Sequence, residues 1–359
     1  MGNLFHEVSI GSVKIPGNLF LAPVAGYSDR AFRSVCYRGG ANFAYTEMVS
    51  AEALTRGSDK TRLIMLRAPG EKQYAIQLFG GTPEVIGKAV EMVLSQKSHN
   101  LLPEVIDING GCPVPKITKT GAGSVLTKEP ERLFRIVSAA VKASKTMWDN
   151  CGVGGNDPVP ITIKIRSGWD AQTITWKEAT EAALAAGVAA ITLHGRTRAQ
   201  GYEGKADWGI LKDLVMLVKG KTAGKVPVFG SGDVFSPEDA KKMLEQTACD
   251  GVMFARGAMG NPFVFSETRQ LLETGVYEEP DPVIRIAAGM EELSCLIQDV
   301  GEESACKQMR KRFCAYSKGI PGGAELRAFI VNACSKDDYS TLFQKVGLLA
   351  LDKDTKETV

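Results

Sequence analysis

The stretch Ile161–Gly195, "ITIKIRSGWDAQTITWKEATEAALAAGVAAITLHG", contains the repeating unit that decides the fold. An isoleucine-rich run, ITIKIR, is followed by a helical pattern, WKEATEAALAAG, whose final glycine is typical of a helix C-terminus. A second apolar run, AAITLHG, comes next. Short and nearly continuous apolar runs are typical of strands that are buried on both faces, as in a parallel sheet covered by helices.

The same alternation recurs along most of the chain. Eight short apolar runs follow one another, at Asn18–Val24, Asn42–Val49, Tyr74–Gly80, Val105–Gly110, Ile161–Arg166, Ala189–Gly195, Val226–Gly232 and Asp250–Gly257. Further helical patterns begin at Pro83, at Lys128 and at Ser236, which is a typical N-cap residue. Eight strand–helix units predict a closed (β/α)8 TIM barrel, with an open doubly wound sheet as the alternative.

The pattern changes in the C-terminal part of the chain. From Pro282 onward the apolar residues recur at helical spacing, and no further strand pattern is present. The proline-rich segment Glu278–Pro282 has the composition of a linker. We therefore predict a barrel domain over residues 1–277, a small all-helical domain over residues 278–351 and a polar tail over residues 352–359.

The composition is that of a soluble globular protein. Of 359 residues, 44% are hydrophobic and 23% are charged. The lack of an apolar run of about 18 residues and of a signal-peptide pattern predicts a cytoplasmic protein without a membrane span. The eight cysteines form no C-x-x-C pair and only three histidines are present, so we expect no metal site. A net charge of +2 restricts any nucleic-acid contact to a local patch, and we expect a monomer.

The loops after the seventh and eighth apolar runs predict a phosphate site. They read GSGD (Gly230–Asp233) and ARGAMGNP (Ala255–Pro262). Glycines let backbone N–H groups approach an anion, and Arg256 adds a guanidinium group that can donate two hydrogen bonds to it. In TIM barrels these two loops commonly bind phosphate. The alternative is that the glycines of these loops only form turns and bind no anion. Because no G-x-G-x-x-G motif opens a helix, a cofactor with one phosphate, such as FMN, fits better than a dinucleotide.

Polar side chains at other strand ends complete the candidate site. Gln77, Lys164 and His194 stand at the carboxyl ends of strands, where barrel enzymes have their active sites. A lysine there would stabilise the negative charge of a reduced flavin, and a glutamine can both donate to the flavin edge and accept from it. The alternative for His194 is a core imidazole bonded to the backbone.

Cys112 follows the fourth strand, in DINGGCPVPK (Asp107–Lys116). It could be a small buried group, a metal ligand or a reagent. No cysteine or histidine stands at ligand spacing from it, which removes the metal interpretation. Its position on the same rim as Lys164 and His194 favours a reagent over a packing residue.

A set of motifs spans nearly the whole chain in order. They are LAPVAGYSDRAFR (Leu21–Arg33), QLFGG (Gln77–Gly81), NGGCPVPKITKTGAGSVLTKEP (Asn109–Pro130), IKIRSGWD (Ile163–Asp170), TLHGRTRAQGYEGKADW (Thr192–Trp208), GSGDV (Gly230–Val234), DGVMFARGAMGNPFVF (Asp250–Phe265) and YSKGIPGGAELR (Tyr316–Arg327). Together they resemble the bacterial tRNA-dihydrouridine synthases, which contain FMN and use NADPH. The resemblance implies hydride transfer to C6 of a uridine that has swung out of the tRNA.

The resemblance also implies a role for each candidate residue. It implies that Cys112 donates a proton to C5 and that Asn109 lies near the target uracil. The residues expected to pack on the flavin are Pro23, Val24 and Ala25, and those expected to hold its ring system are Gln77, Lys164 and His194. The residues expected to hold its phosphate are Ser231, Gly232, Asp233, Ala255 and Arg256.

Basic residues are the candidates for tRNA contact. Lys116 and Lys119 follow the cysteine, and Arg196 and Arg198 follow the histidine. The segment Lys307–Lys318 contains five basic residues and no acidic ones. Taken alone, such a run is more often a solvated helix face, but the resemblance favours an RNA-binding patch. The candidates in this patch are Lys307, Arg310 and Arg312.

Three positions depart from the family pattern. Ser231 stands where asparagine is usual, Ala255 where glycine is usual, and Arg312 where a histidine is common. In addition, residues 146–160 lengthen the predicted loop before the fifth strand. Two other functions stay open, namely an FMN-dependent barrel oxidoreductase of a small pyrimidine, of the dihydroorotate dehydrogenase type, and an RNA-binding protein with a decayed barrel.

Overall fold

The computed structural model describes residues 4–96 and 101–348. Its strands are β1 (Val8–Ile10), β2 (Val13–Ile15), β3 (Leu19–Leu21), β4 (Phe43–Tyr45), β5 (Val49–Ser50), β6 (Tyr74–Phe79), β7 (Val105–Gly110), β8 (Ile161–Arg166), β9 (Gly168–Asp170), β10 (Thr173–Ile174), β11 (Ala190–His194), β12 (Val228–Ser231) and β13 (Gly251–Phe254). Its helices are α1 (Arg30–Arg38), α2 (Ala51–Thr55), α3 (Asp59–Met65), α4 (Pro83–Leu94), α5 (Pro115–Thr118), α6 (Pro130–Cys151), α7 (Trp176–Ala186), α8 (Trp208–Thr222), α9 (Pro237–Thr247), α10 (Val264–Thr274), α11 (Pro282–Val300), α12 (Glu302–Tyr316), α13 (Gly323–Ile330) and α14 (Lys336–Lys345).

Eight parallel strands form a closed barrel, which confirms the predicted TIM-barrel fold. Their order around the barrel is β3, β4, β6, β7, β8, β11, β12 and β13. The ring closes because β13 pairs with β3, and β4 pairs with both β3 and β6. Each of the eight predicted apolar runs contains one of these strands. The open-sheet alternative is therefore wrong.

An aromatic cluster fills one end of the barrel. The rings of Phe20 and Phe229 meet edge to face, with centroids 4.8 Å apart, and Phe43 packs against Phe20. The antiparallel hairpin of β1 and β2 contributes Ile10 and Ile15 to this cluster. Apolar packing therefore occupies this end of the barrel interior.

Three helix boundaries lie where the sequence predicts them, while α6 begins at Pro130, two residues after the predicted Lys128. α4 begins at Pro83, α7 ends at Gly187 in the left-handed conformation, and Ser236 caps α9. The segment 146–160 is different from the prediction, because α6 continues to Cys151 and only the remainder forms a loop. No proline or glycine interrupts the helical pattern before Gly152, which ends α6 with a φ of 65°.

The helices after the barrel form a second hydrophobic core. Phe313 packs against Tyr339 and Phe343, with ring centroids 4.6 and 5.0 Å apart. Ala31 of α1 belongs to this core, so the helical region packs directly on the barrel. The loop between α10 and α11 contains the predicted boundary at residue 277, which stays a prediction, and the predicted tail 352–359 lies outside the described residues.

Within residues 4–96 and 101–348, no helix is both long and apolar enough to span a membrane.

Candidate active site

A cavity of about 390 Å³ opens at the carboxyl ends of the barrel strands. The sequence predicted thirteen residues for the cofactor, the uracil and proton donation, and all of them line this cavity: Pro23, Val24, Ala25, Gln77, Asn109, Cys112, Lys164, His194, Ser231, Gly232, Asp233, Ala255 and Arg256. They lie in or after seven of the eight barrel strands, and Met48 lines the wall after the remaining strand, β4. The fold therefore brings the set together, while the role of each residue stays a prediction.

Amide and carboxylate side chains are hydrogen-bonded in series along one wall. Gln77 Nε2 donates to Asp107 Oδ2 at 2.7 Å, and Asn109 Nδ2 donates to Gln77 Oε1 at 2.8 Å. The backbone N–H of Cys112 then donates to Asn109 Oδ1 at 2.9 Å. Strand register produces this series because Gln77 of β6 lies opposite Asp107 of β7. Asn109 thereby fixes the start of the loop that carries Cys112.

Lys164 presents a positive charge to the cavity from inside the barrel. Burial, followed by repulsion from Arg166, lowers the pKa of Lys164 to about 8, and the carboxylate of Asp107 opposes that shift. The exposed part of the side chain lies in the cavity wall. Its ammonium group makes no hydrogen bond within the described part of the chain. Lys164 can therefore donate hydrogen bonds to a ligand that carries negative charge.

His194 is uncharged at neutral pH. Burial, and after it the positive charges around the ring, lower the pKa of His194 to about 2. Those charges belong to Lys164, Arg166, Arg196 and Arg256. Arg196 Nη1 lies 3.4 Å from His194 Nε2, and because a guanidinium only donates, the ring proton is assigned to Nδ1. A neutral imidazole can contact a cofactor without adding a further charge.

The thiol of Cys112 is protonated at neutral pH. Burial raises the pKa of Cys112 above its ordinary value, although a backbone N–H and the charges of Arg166 and Lys164 act in the opposite direction. Arg166 Nε also donates to the carbonyl of Gly111 at 3.0 Å, which holds the loop from the other side. A Cβ atom at Gly123 would lie 2.8 Å from the Cys112 carbonyl, so this position needs glycine. The loop is held closely around its cysteine.

The loop after β12 has an unusual backbone. Gly232 and Asp233 have consecutive positive φ angles, 106° and 57°. A Cβ atom at Gly232 would lie 2.5 Å from His194 Cδ2, so a larger residue would displace the imidazole. The carboxylate of Asp233 accepts hydrogen bonds from Arg196 Nη2 and from the backbone of Ala206, both at 2.7 Å. These contacts stabilise a conformation that is strained for a non-glycine residue.

Arg256 marks the end of the cavity where an anion would bind. Its guanidinium lies 4.7 Å from the Tyr202 ring centroid and 4.9 Å from that of Phe235, and Nη2 is 3.5 Å from Asp233 Oδ1. The neighbouring Ser231 is buried at the same end. This combination of a guanidinium, a serine and positive-φ backbone suits a phosphate group.

Two of the predicted tRNA-contacting arginines are interior, which corrects the sequence prediction. Arg196 is 2% exposed, and its guanidinium is bonded to Asp233 and to the carbonyls of Glu203 and Gly204. Arg312 is 1% exposed and forms ion pairs with Asp29 and Glu292. Both guanidinium groups have carboxylate or carbonyl partners, and neither is exposed on the surface.

The other basic candidates lie outside the cavity wall. Arg198 stacks on Trp169 at 4.7 Å, and Arg310 donates to the carbonyl of Ala333 at 3.0 Å. Three lysines are exposed, namely Lys116, Lys119 and Lys307, and the last of these pairs with Glu303. Their part in tRNA contact stays a prediction.

Several site residues were missed by the sequence reasoning. Arg166 lies two residues after Lys164 on the same strand, so the strand period of two could have placed it on the same face. Tyr202 and Phe235 come from loops, and no local signal placed them beside Arg256. Lys311 of α12 donates to the carbonyl of Gly26 at 2.8 Å and thereby connects the helical region to the loop after β3.

Among the described residues, no group of three or more histidine, cysteine or acidic side chains has an arrangement that could hold a metal ion.

A closed barrel whose carboxyl-end cavity combines a lysine, a neutral histidine, a thiol and an anion site defines an enzyme of the TIM-barrel class. The sequence model described as "Dihydrouridine synthase (Dus)" matches residues 20–347. The chain belongs to the dihydrouridine synthase family, which confirms the resemblance of its motifs.

Individual relatives agree with this assignment. A Treponema pallidum (strain Nichols) protein named "Probable tRNA-dihydrouridine synthase" is 50% identical over 342 residues, covering 95% of this chain and 96% of that protein. "tRNA-dihydrouridine synthase B" of Pseudomonas aeruginosa is 34% identical over 322 residues, covering 89% and 90%. The crystal structure of DHODH from Eimeria tenella in complex with ferulenol has a TM-score of 0.51 at 14% identity, covering 76% of this chain and 86% of that one, a likeness that concerns the fold alone.

Proposed function

We propose that this protein is a cytoplasmic tRNA-dihydrouridine synthase that holds FMN, is reduced by NADPH and converts a uridine of tRNA to 5,6-dihydrouridine. The observation that carries the proposal is the position of the Cys112 thiol on the same cavity as Lys164 and His194, in a chain of this family. The names of the relatives support tRNA as the substrate.

The cavity wall fits FMN. The Lys164 ammonium, which lacks a protein hydrogen bond in the described residues, suits the pyrimidine edge of a flavin, and Arg256 suits its phosphate. Val24, Met253 and Ala255 supply apolar surface for the ring system. Bound FMN would supply the hydride-transfer chemistry, with NADPH as the source of the hydride and C6 of the uracil as its acceptor.

Lys164 and His194 have complementary roles in this proposal. The Lys164 ammonium would stabilise negative charge on the pyrimidine edge of a bound flavin from a largely buried position. His194 stays neutral and contacts the ring system without adding to the positive charge. Gln77 retains one N–H and one lone pair after bonding to Asp107 and Asn109, and these can face the ligand.

Cys112 donates the proton. Hydride addition to C6 of the uracil leaves negative charge on C5 and on the C4 carbonyl, and transfer of the thiol proton to C5 completes the saturated ring. The raised pKa of Cys112 keeps the thiol protonated until that moment. The resulting thiolate regains its proton from solvent. Asn109 is a neighbour on the same wall and can orient the uracil.

The target uridine must leave the folded tRNA to reach this cavity, because its C5 and C6 atoms are otherwise stacked. Lys116 and Lys119 are exposed on and next to α5, which begins three residues after Cys112. Their exposure near Cys112 supports a contact of both charges with phosphates beside the extruded base. Lys307 is exposed on the helical region and is a weaker candidate, since Glu303 pairs with it.

The test uses the purified protein, NADPH and tRNA from a strain without dihydrouridine. The native protein should bind FMN and form dihydrouridine, whereas Cys112→Ala should retain FMN and NADPH oxidation and lose uridine reduction by about 100-fold or more. A variant that reduces tRNA at the native rate would exclude Cys112 as the donor. A protein that binds FMN, ignores tRNA and reduces free pyrimidines would overturn the proposed substrate.

A further inference from the structure

Asp107 is a buried carboxylate that neither the cavity wall nor the proposed chemistry includes. It is fully buried in β7, two residues before Asn109. Alternate residues of a strand face the same side, so Asp107 points into the barrel one layer below Asn109. A buried carboxylate is costly unless its lone pairs are satisfied, and its position directly under the site requires an explanation.

The hydrogen bonds around Asp107 all have the same direction. Thr162 Oγ1 donates to Asp107 Oδ1 at 2.6 Å, and Gln77 Nε2 donates to Oδ2 at 2.7 Å. Asn109 Nδ2 donates to Gln77 Oε1 at 2.8 Å. The backbone N–H groups of Gly111 and Cys112 donate to Asn109 Oδ1 at 3.1 and 2.9 Å. Every donor in this series therefore points toward the carboxylate.

An ionised carboxylate only accepts hydrogen bonds, and a backbone N–H only donates. These two ends leave a single orientation for each amide between them. If Gln77 turned over, its oxygen would face the carboxylate, and Asn109 would turn with it and point its NH₂ at two backbone donors. Two groups set the direction of the series. They are the carboxylate of Asp107 at the floor of the barrel and the backbone N–H groups at the start of the Cys112 loop.

We propose that Asp107 is a positioning residue that fixes the orientations of Gln77 and Asn109 and thereby holds the Cys112 loop in its working position. This inference rests on the proposed function only for its catalytic consequence, because the positioning itself is a property of the folded chain. Burial raises the pKa of Asp107 to about 6, while its two hydrogen bonds and Lys164 oppose that rise, so the carboxylate is ionised at neutral pH.

Two substitutions separate positioning from simple packing. In Asp107→Asn, the new Oδ1 can accept from Gln77 while the new Nδ2 donates to the Thr162 hydroxyl, so the direction of the series is kept. In Asp107→Leu, Gln77 Nε2 loses its acceptor, and the series is anchored only by the backbone N–H groups of Gly111 and Cys112. The Asn variant should therefore behave like the native protein, and the Leu variant should not.

The primary measurement is the rate at which iodoacetamide alkylates Cys112, followed peptide by peptide by mass spectrometry with and without FMN. Asp107→Leu should change this rate by about fivefold or more, while Asp107→Asn stays within about twofold. Cys334 is exposed and far along the chain, and its alkylation rate serves as the internal control. In a single turnover with tRNA, the Leu variant should lose about 10- to 100-fold in uridine reduction.

Each outcome has a defined meaning. If Cys112 is alkylated at the native rate in a folded Asp107→Leu variant, the proposal is wrong. Equal losses of uridine reduction in the Asn and Leu variants would also overturn it, since the carboxylate charge alone would then be responsible. If Asp107→Leu does not fold, Asp107→Ala replaces it, because the smaller side chain also removes the acceptor of Gln77 Nε2. Failure of the native protein to reduce tRNA would overturn the proposed function, while the alkylation test would still decide the positioning.

Discussion

The guanidinium group of Arg256 lies 4.7 Å from the ring centroid of Tyr202 at the mouth of the cavity. Tyr202 is 62% exposed, so burial in the core does not explain its position. Stacking occupies the face of a guanidinium and leaves its N–H edge free, which is the edge that binds phosphate. The contact with Tyr202 therefore restrains Arg256 in an orientation that suits an anion.

Replacing Tyr202 with alanine should weaken FMN binding. An exposed cation–π contact is worth about 0.5–1 kcal/mol, which corresponds to a loss of about two- to fivefold in affinity. Tyr202→Phe keeps the ring and should bind FMN like the native protein. Fluorescence titration of FMN with the flavin-free protein measures both, with Phe329→Ala as the control at an exposed ring of the helical region. Equal weakening by the alanine and phenylalanine substitutions would contradict a stacking role.

The barrel and most of its rim could be predicted from the sequence because both follow from local pattern. Strands buried on both faces give the apolar runs, and parallel strands bring their carboxyl ends to one side. Gln77, Lys164 and His194 therefore meet in one cavity although they are far apart in the chain. The α6 helix was underestimated at its end, where the apolar stripe weakens before any residue stops the helix.

The pairing of buried charges could not be predicted in this way. Arg312 lies within a run that appears basic and exposed, yet its partner Asp29 is 283 residues away in the chain. The periodicity of α12 does not show that a carboxylate from the barrel meets it there. Arg196 was misplaced for the same reason, since Asp233 comes from another strand end.

His194 should make the protein less stable in acid. Its pKa is about 2 when folded and about 6.5 when unfolded, so the unfolded chain binds more protons between these values. The free energy of unfolding should therefore fall as pH is lowered below about 6.5, by up to about 1.4 kcal/mol per pH unit from this group. Urea unfolding at pH 7, 6 and 5 should show a shallower dependence for His194→Gln. The matched control is His6→Gln, at an exposed histidine, and an unchanged slope in the His194 variant would exclude this contribution.

Arg312 should be needed for stability. Arg312→Met leaves Glu292, which is fully buried, without its countercharge and should reduce the free energy of unfolding by about 3–5 kcal/mol. Adding Glu292→Gln removes the stranded charge and should restore part of the loss. Denaturant unfolding measures all three proteins. The control is Lys307→Ala, which breaks an exposed pair and should leave the unfolding midpoint nearly unchanged. If Arg312→Met unfolds at the native denaturant concentration, the buried ion pairs do not hold this region together.

Lys116 and Lys119 should contribute to tRNA binding through charge alone. Both are exposed close to Cys112, so each can neutralise one phosphate and release counterions. Replacing both with alanine should weaken tRNA binding at low salt and reduce the slope of log K against log salt by about 1.4 to 1.8. The control is Lys225→Ala, which removes an exposed charge from the loop before β12, at the opposite end of the barrel. Binding titrations at several salt concentrations compare the variants, and a double variant with the same slope as Lys225→Ala would place the tRNA elsewhere on the surface.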